Sequence, residues 1–299
     1  MKIIIIGSKG QLGSELCGIL ASEKSEIGSI HPLFHNAEVT AVDMDELDIR
    51  DAEAVNAFIT EKRPDLIINC AAYTNVDACE NHENDAYLVN TVGAGNIAGA
   101  AETIGAKFVH ISTDYVFDGN GPDGKHIPYR ESDTPNPVSA YGRTKLQGEA
   151  EVLSKCTRAF IVRTAWLYSY GPKNFVRTMI RLGKEKDVIS VVNDQVGTPT
   201  FTPDLAHQIL KLAATESYGI FHCTGKGQCS WYDFASEIIR LSGSSARVLP
   251  CSSEDYPSPT KRPAWSVLSH DKMEQTVGDE SRDWETALNS FFTNEKELA

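Results

Sequence analysis

Tyr141 and Lys145 stand four residues apart in Tyr141-Gly142-Arg143-Thr144-Lys145, a spacing that puts both side chains on one face of a helix. A phenol titrates near pH ~10. An ammonium group beside it stabilises the phenolate and brings proton exchange toward neutrality. Thr113 lies in Ser112-Thr113-Asp114-Tyr115, at the end of an apolar run. A hydroxyl there can donate to a carbonyl oxygen that gains negative charge. The three residues together suit reduction of a ketone, with Tyr141 as proton donor, Thr113 as polariser and Lys145 as tuner. Taken alone, Tyr-x-x-x-Lys is also what an ordinary exposed helix pair looks like.

The hydride for such a reaction must come from a cofactor. Gly7-Ser8-Lys9-Gly10-Gln11-Leu12-Gly13 follows the apolar run Ile3–Ile6 and precedes a stretch of helical spacing. Glycines there permit a tight turn and let backbone N–H groups reach a pyrophosphate at the start of a helix. The spacing is Gly-x-x-Gly-x-x-Gly, not the commoner Gly-x-Gly-x-x-Gly. Asp43, closing the next apolar strand, is placed to accept the ribose hydroxyls and to disfavour a 2′-phosphate, which favours NAD. Lys9 keeps NADP open. Asp48 and Ile49 are placed to meet the adenine.

The elements that must hold these residues alternate along the first half. Strands are expected at Lys2–Ile6, Val39–Asp43, 65–69, 107–112 and 159–163, with helices at Gln11–Ser22, 51–62, 84–104 and 141–156. Continuous apolar strands between helices predict an α/β fold with a doubly wound parallel (Rossmann) sheet. Beyond residue 165 the pattern loosens. It predicts strands at 188–192 and 219–224 and helices at 203–214, Trp231–Ser242 and 283–292, with a proline-rich loop over 250–263. The division expected is a cofactor-binding part over 1–165, with about 193–218 returning to it, and a smaller substrate lobe over most of 166–299. Residues 22–38 are expected to be a surface insertion.

Bulk properties narrow the partners. The 299 residues carry a net charge of −13 and are 41% hydrophobic, with a pI of about 5.1. That balance argues against nucleic acid and against an anionic membrane surface, and no window has the ~18–20 apolar residues of a span. Seven cysteines without a Cys-x-x-Cys pair fit a reducing cytoplasm. His31 and His35 are four apart in a loop with no nearby acid, so no metal site is expected.

Several strings extend the pattern: Asn69-Cys70-Ala71-Ala72-Tyr73-Thr74-Asn75-Val76-Asp77, Arg163-Thr164-Ala165-Trp166-Leu167-Tyr168, Asp194-Gln195-Val196-Gly197-Thr198-Pro199-Thr200 and Arg262-Pro263-Ala264-Trp265-Ser266. With the glycine loop, Ser112–Phe117 and Tyr141-x-x-x-Lys145, they resemble the extended short-chain dehydrogenase/reductase family from residue 3 to about 290. The resemblance implies an oxidoreductase using NADH or NADPH on a nucleotide sugar, reducing the C4 ketone of a 6-deoxy-4-keto hexose. It implies cofactor contacts at Gly7, Gly10, Gln11, Leu12, Gly13, Asp43, Asp48, Ile49, Ala71, Ala72, Tyr73, Thr74, Asn90, Tyr141 and Lys145. Substrate contacts are implied at Thr113, Asp114, Trp166 and Arg262, the last on the pyrophosphate. Asn90 is the position where the family places an amide supporting the catalytic helix. Tyr73 stands where some relatives carry His.

The absence of a second acid after Asp114 disfavours a dehydratase, and the absence of Cys beside Thr113 disfavours an epimerase-reductase. A non-catalytic dinucleotide-binding regulator, such as the beta subunit of methionine adenosyltransferase, shares the fold and stays as the rival. Some relatives dimerise around magnesium through C-terminal carboxylates; Glu295 and Glu297 are present, and neither the ion nor the choice between monomer and homodimer follows from the sequence.

Overall fold

The computed structural model describes residues 1–256 and 258–298, with side chains to 295. Six parallel strands form the central sheet: β1 (Lys2–Ile6), β2 (Glu38–Val42), β3 (Leu66–Asn69), β4 (Lys107–Thr113), β5 (Ala159–Thr164) and, after an excursion described below, β7 (Gly219–His222). Their order across the sheet is β7-β5-β4-β3-β1-β2. Chain order reverses between β1 and β3, and ligands of doubly wound sheets sit outside the carboxyl ends of the strands at such a reversal.

Strand residues alternate between two cores, as the pleat requires. Ile3, Ile5, Ile68, Val109 and Phe160 face α1 (Gln11–Ser22) and α6 (Thr202–Ala213). Ile4, Ile6, Ile67, Phe108 and Ile161 face α2 (Ala52–Lys62), α3 (Ala94–Ile104) and α4 (Ala140–Lys155). Burial on both faces is why these strands read as unbroken apolar runs. The Asp51 carboxylate caps α2 by accepting from the N–H groups of Glu53 and Ala54, both at 3.0 Å. That helix ends at Arg63 in the left-handed region, just before Pro64. The Ser139 hydroxyl caps α4 through the Gly142 N–H.

Three findings depart from the expected layout. The stretch preceding α3 is not a regular helix: Leu88–Gly93 forms a π turn between Glu83–Tyr87 and Ala94. The segment returning to the main sheet does not stop at 218, because β7 pairs with β5 in parallel from Gly219 to His222. Residues 22–38 are not merely a surface insertion. Ile30 and Phe34 are buried in the α1 core, and the Ser25 hydroxyl lies 2.7 Å from Nδ1 of His207 on α6.

The remaining residues build a smaller lobe. It contains α5 (Phe175–Glu185), β6 (Val188–Val192), α7 (Trp231–Ser242), β8 (Arg247–Cys251) and α9 (Trp284–Leu298). Val176, Ile189, Phe234, Ile238, Leu288 and Phe291 make its core. The α5 helix and the β8 strand were not expected. The β8 strand pairs with β6 alone, so Pro250 sits on an edge where its missing N–H is tolerated. A short helix, α8 (Asp271–Val277), returns Met273 to the first core. No helix among the described residues is long and apolar enough to cross a membrane, and all seven cysteines are free.

Candidate active site

The glycine loop occupies the β1–α1 turn. Gly7 has φ +79°, and a Cβ there would lie 2.6 Å from the Ala71 nitrogen. A Cβ on Gly13 would lie 2.2 Å from the Gly7 carbonyl oxygen. Both positions therefore exclude a side chain, which keeps the loop low and α1 close to the sheet. Gly10 begins α1 with no side-chain cap, so the first-turn N–H groups of the helix are free of a protein acceptor side chain and face the strand ends. That cradle fits a dinucleotide pyrophosphate. The Gln11 amide oxygen accepts from the Ser169 hydroxyl at 2.9 Å, tying the loop to the segment that follows β5.

The carboxylate of Asp43 is drawn into this loop. One oxygen accepts from the Lys9 N–H and the other from Met44 N–H, each at 2.9 Å. The Lys9 ammonium turns outward to Asp45 and Glu46. Asp48 is gripped by the Arg50 guanidinium, which holds its carboxyl below the usual range. Its expected role toward adenine must therefore compete with this pair. Ile49 is buried beneath it, among the α2 and α3 core residues.

At the carboxyl end of β4, the Thr113 hydroxyl lies near the Tyr141 phenol and accepts from the Tyr115 N–H at 3.2 Å. It also donates to Asp114 Oδ1 at 2.9 Å. The Tyr141 ring meets Tyr115 edge-on, with centroids 5.6 Å apart. Burial pushes the Tyr141 phenol up, and the facing Thr113 hydroxyl partly offsets this. Lys145 makes its hydrogen bonds away from that phenol. Its Nζ, on a side chain 1% exposed, donates to the Ile111 carbonyl oxygen at 2.6 Å and lies 3.2 Å from Nε2 of His110. Burial lowers the amine to about 8, against the pull of Glu149.

Asn90 sits in the π turn. Its Oδ1 accepts from the Tyr73 N–H at 2.8 Å, and its Nδ2 donates to the Tyr73 carbonyl and to the Thr144 hydroxyl. It thus clamps the Ala71–Thr74 segment against α4. Beneath the site, Arg163 and Glu149 form a two-point ion pair at 2.9 and 2.7 Å with side chains 1% and 2% exposed. Ser112 donates to the same carboxylate at 2.5 Å. Arg163 lies in the fully buried strand β5. Glu149, His110 and the hydrogen bonding of Asn69 were not anticipated, because only the β3–β4 register sets Asn69 beside His110.

Asp114 is buried, and Oδ2 has no hydrogen-bond partner. Burial raises its carboxyl to about 6, partly offset by the nearby Ser266 and Thr113 hydroxyls. Trp166 has φ +47°, a left-handed backbone that costs a bulky residue ~1–2 kcal/mol. Its indole stacks on Trp231 at 3.6 Å, so Trp231 supports this aromatic wall besides packing the lobe. Arg262 donates to Asp77 at 3.1 Å and to the Tyr115 hydroxyl at 3.4 Å; a ligand anion there would have to share it with Asp77. In the 194–200 segment, Asp194 is bound by Ser253 and the Thr198 hydroxyl by the Gly227 carbonyl. Among the described residues, no three His, Cys, Asp or Glu side chains gather as a metal site. Glu295 is taken up by Arg177, and the Glu297 side chain lies outside the described residues.

Comparison with known proteins matches residues 1–297 to the family described as RmlD substrate binding domain. The chain belongs to the RmlD family. Within it, the spore coat polysaccharide biosynthesis protein SpsK of Bacillus subtilis is 40% identical over 290 residues, covering 97% of this chain and 96% of the relative. A crystal structure of a dTDP-4-dehydrorhamnose reductase from Clostridium acetobutylicum is 48% identical with a TM-score of 0.91, over 99% of this chain and 100% of that one. The dTDP-4-dehydrorhamnose reductase of Bacillus anthracis, solved in complex with NADP, is 40% identical with a TM-score of 0.89, over 98% and 99% of the two chains. For this RmlD-family chain, the doubly wound fold and the oxidoreductase assignment follow.

Proposed function

We propose that the protein is a dTDP-4-dehydrorhamnose reductase, converting dTDP-4-dehydro-β-L-rhamnose to dTDP-L-rhamnose at the expense of NADH or NADPH. The observation that carries this is the convergence of the Thr113 and Tyr141 hydroxyls at the carboxyl edge of β4. They stand across the sheet reversal from the uncapped start of α1.

The reduced nicotinamide, when bound, supplies the hydride that adds to C4. The chain's own residues do the rest. Thr113 donates toward the C4 oxygen as it gains charge, and Tyr141 gives it a proton, leaving the alcohol. Such a positioned proton donor is worth ~10²–10⁴-fold in rate. Lys145 and the Asn90 clamp hold the helix and the Ala71–Thr74 segment around the cofactor. Gly7, Gly10, Gln11, Leu12 and Gly13 hold its pyrophosphate by backbone, with Asp43, Asp48 and Ile49 on the adenosine side. Asp114, Trp166 and Arg262 line the sugar-nucleotide side. The cofactor part is taken as 1–165 with 193–222 returning, and the sugar-nucleotide lobe as most of the remainder.

A cytoplasmic enzyme, monomeric or homodimeric, is supported by seven free thiols and by the soluble substrate. The test is NADPH or NADH oxidation followed with dTDP-4-dehydro-β-L-rhamnose. Stoichiometric formation of dTDP-L-rhamnose supports the assignment. Cofactor binding without turnover on this substrate overturns it and turns attention to a regulatory dinucleotide-binding role.

A further inference from the structure

The amine of Lys145 has a partner outside the reductase triad. Nε2 of His110 lies 3.2 Å from Lys145 Nζ, and Nδ1 of the same ring lies 3.2 Å from Nδ2 of Asn69. The orientation of the Asn69 amide is fixed independently, because its Oδ1 accepts from the Ala71 N–H at 3.0 Å. Nδ2 must then donate, so His110 Nδ1 is the acceptor and Nε2 carries the proton. An Nε2–H aimed at Nζ is a hydrogen bond only if the amine offers its lone pair. A neutral amine does so while still donating to the Ile111 carbonyl at 2.6 Å.

The alternative state breaks this chain. An ammonium at Lys145 needs a lone pair on Nε2, which moves the ring proton to Nδ1 and sets it against the Asn69 NH₂. Relief requires the Asn69 amide to turn over, and the Ala71 N–H then loses its acceptor. All three side chains are buried, so no solvent repairs the mismatch.

We propose that His110 is a positioning residue which, locked by Asn69 as the Nε2–H form, holds Lys145 Nζ and couples its charge state to the backbone of Ala71. Ala71 opens the segment that lies over the glycine loop, where Gly7 packs on the Ala71 nitrogen. A change in that segment and a proton on Lys145 are thereby linked. This rests on the reductase reading only for its consequence in turnover; the hydrogen-bond order stands without it.

Glu149, on α4, favours the ammonium, as does a thiolate at Cys70 beyond β3. The Glu149 charge is met by Arg163 on β5. Burial pushes the Cys70 thiol well up, so it is uncharged. Burial and the Lys145 charge hold His110 far below its ordinary range, so the ring is neutral.

Two measurements test the proposal. Long-range ¹⁵N–¹H NMR of the ¹⁵N-histidine-labelled protein, without ligands, should show His110 protonated at Nε2 and bare at Nδ1 above about pH 8, where Lys145 is neutral, and the ring proton moving to Nδ1 as Lys145 takes up its proton below that. An Nδ1–H ring above about pH 8, a tautomer that does not respond to pH between about 6 and 9, or an imidazolium overturns it. The second variant is His110→Gln, whose carbonyl oxygen can accept from an ammonium. The limb of the kcat profile that reports loss of the Lys145 ammonium should move up by about one pH unit, with the cofactor KM changed by less than about twofold. An unmoved profile with kcat uniformly reduced marks His110 as mere packing and overturns the proposal. Failure of the wild-type protein to turn over would count against the reductase reading and leave the NMR result to stand or fall alone.

Discussion

The hydroxyl of Thr113 lies near the phenol of Tyr141 at the end of β4, while Lys145, one turn along the same helix, donates to the Ile111 carbonyl. Proton donation and lysine anchoring are thus carried by two neighbouring side chains on one face of α4. Tyr141→Phe keeps the ring and its edge contact with Tyr115 and removes only the transferable proton. We expect kcat to fall ~10²–10⁴-fold while the NADPH Kd, read by fluorescence titration, changes less than about twofold. A variant retaining more than a tenth of wild-type kcat would remove Tyr141 from the reaction.

Gly13→Ala tests the cradle separately from the chemistry. The added methyl would sit 2.2 Å from the Gly7 carbonyl oxygen, so α1 must move off the sheet or the loop must rise. Cofactor affinity should weaken at least ~10-fold by calorimetry, since the amide donors lose their common aim. An unchanged Kd would mean the cofactor does not rest on this turn.

Asp114 gives stability a pH signature. Its carboxyl is raised from 3.8 to about 6 by burial, so the folded chain holds a proton that the unfolded chain releases between about pH 4 and 6. The stabilisation is complete below about pH 4 and is lost as pH rises through 6, an effect of roughly 3 kcal/mol at full size. Asp114→Asn cannot show this loss. The stability of the variant relative to wild type should therefore improve by ~2–3 kcal/mol between pH 4 and pH 7 in urea titrations; parallel pH curves would contradict the burial argument.

Breaking the ion pair beneath the site should be severe. Glu149→Gln leaves the Arg163 guanidinium buried without its counter-charge, a loss of ~3–5 kcal/mol. Replacing both residues, as Glu149→Leu with Arg163→Met, should recover most of it in equilibrium unfolding. A double variant as unstable as the single one would show that the charges contribute net stability.

The sequence made the cofactor half legible because its signals are local. Unbroken isoleucines mark β1 and β3, Asp51 and Pro64 bracket α2, and glycines mark the one turn that must approach the Ala71 backbone. Tyr141 and Thr113 could be named from spacing and strand position alone. What sequence reasoning missed depends on registers and partners far along the chain. Phe175–Glu185 lacks an obvious stop, and Arg247–Cys251 hides its strand behind Pro250, harmless only because that edge is unpaired. Asn69 and His110 become one device only when β3 and β4 align. The i, i+4 spacing of Tyr141 and Lys145 says nothing of the Ile111 carbonyl and the His110 ring that the amine meets.

The π turn at Leu88–Gly93 has a consequence for how this site tolerates change. One residue more than an α-helix needs turns the following backbone by ~100° and is what swings Asn90 toward Tyr73 and Thr144. Deleting a single residue there would repair the helix and erase the clamp in one step. The direction of damage is therefore inverted from the usual one: a shortened chain would be locally more regular yet should lose turnover, a trade visible as a retained Tm beside a fallen kcat.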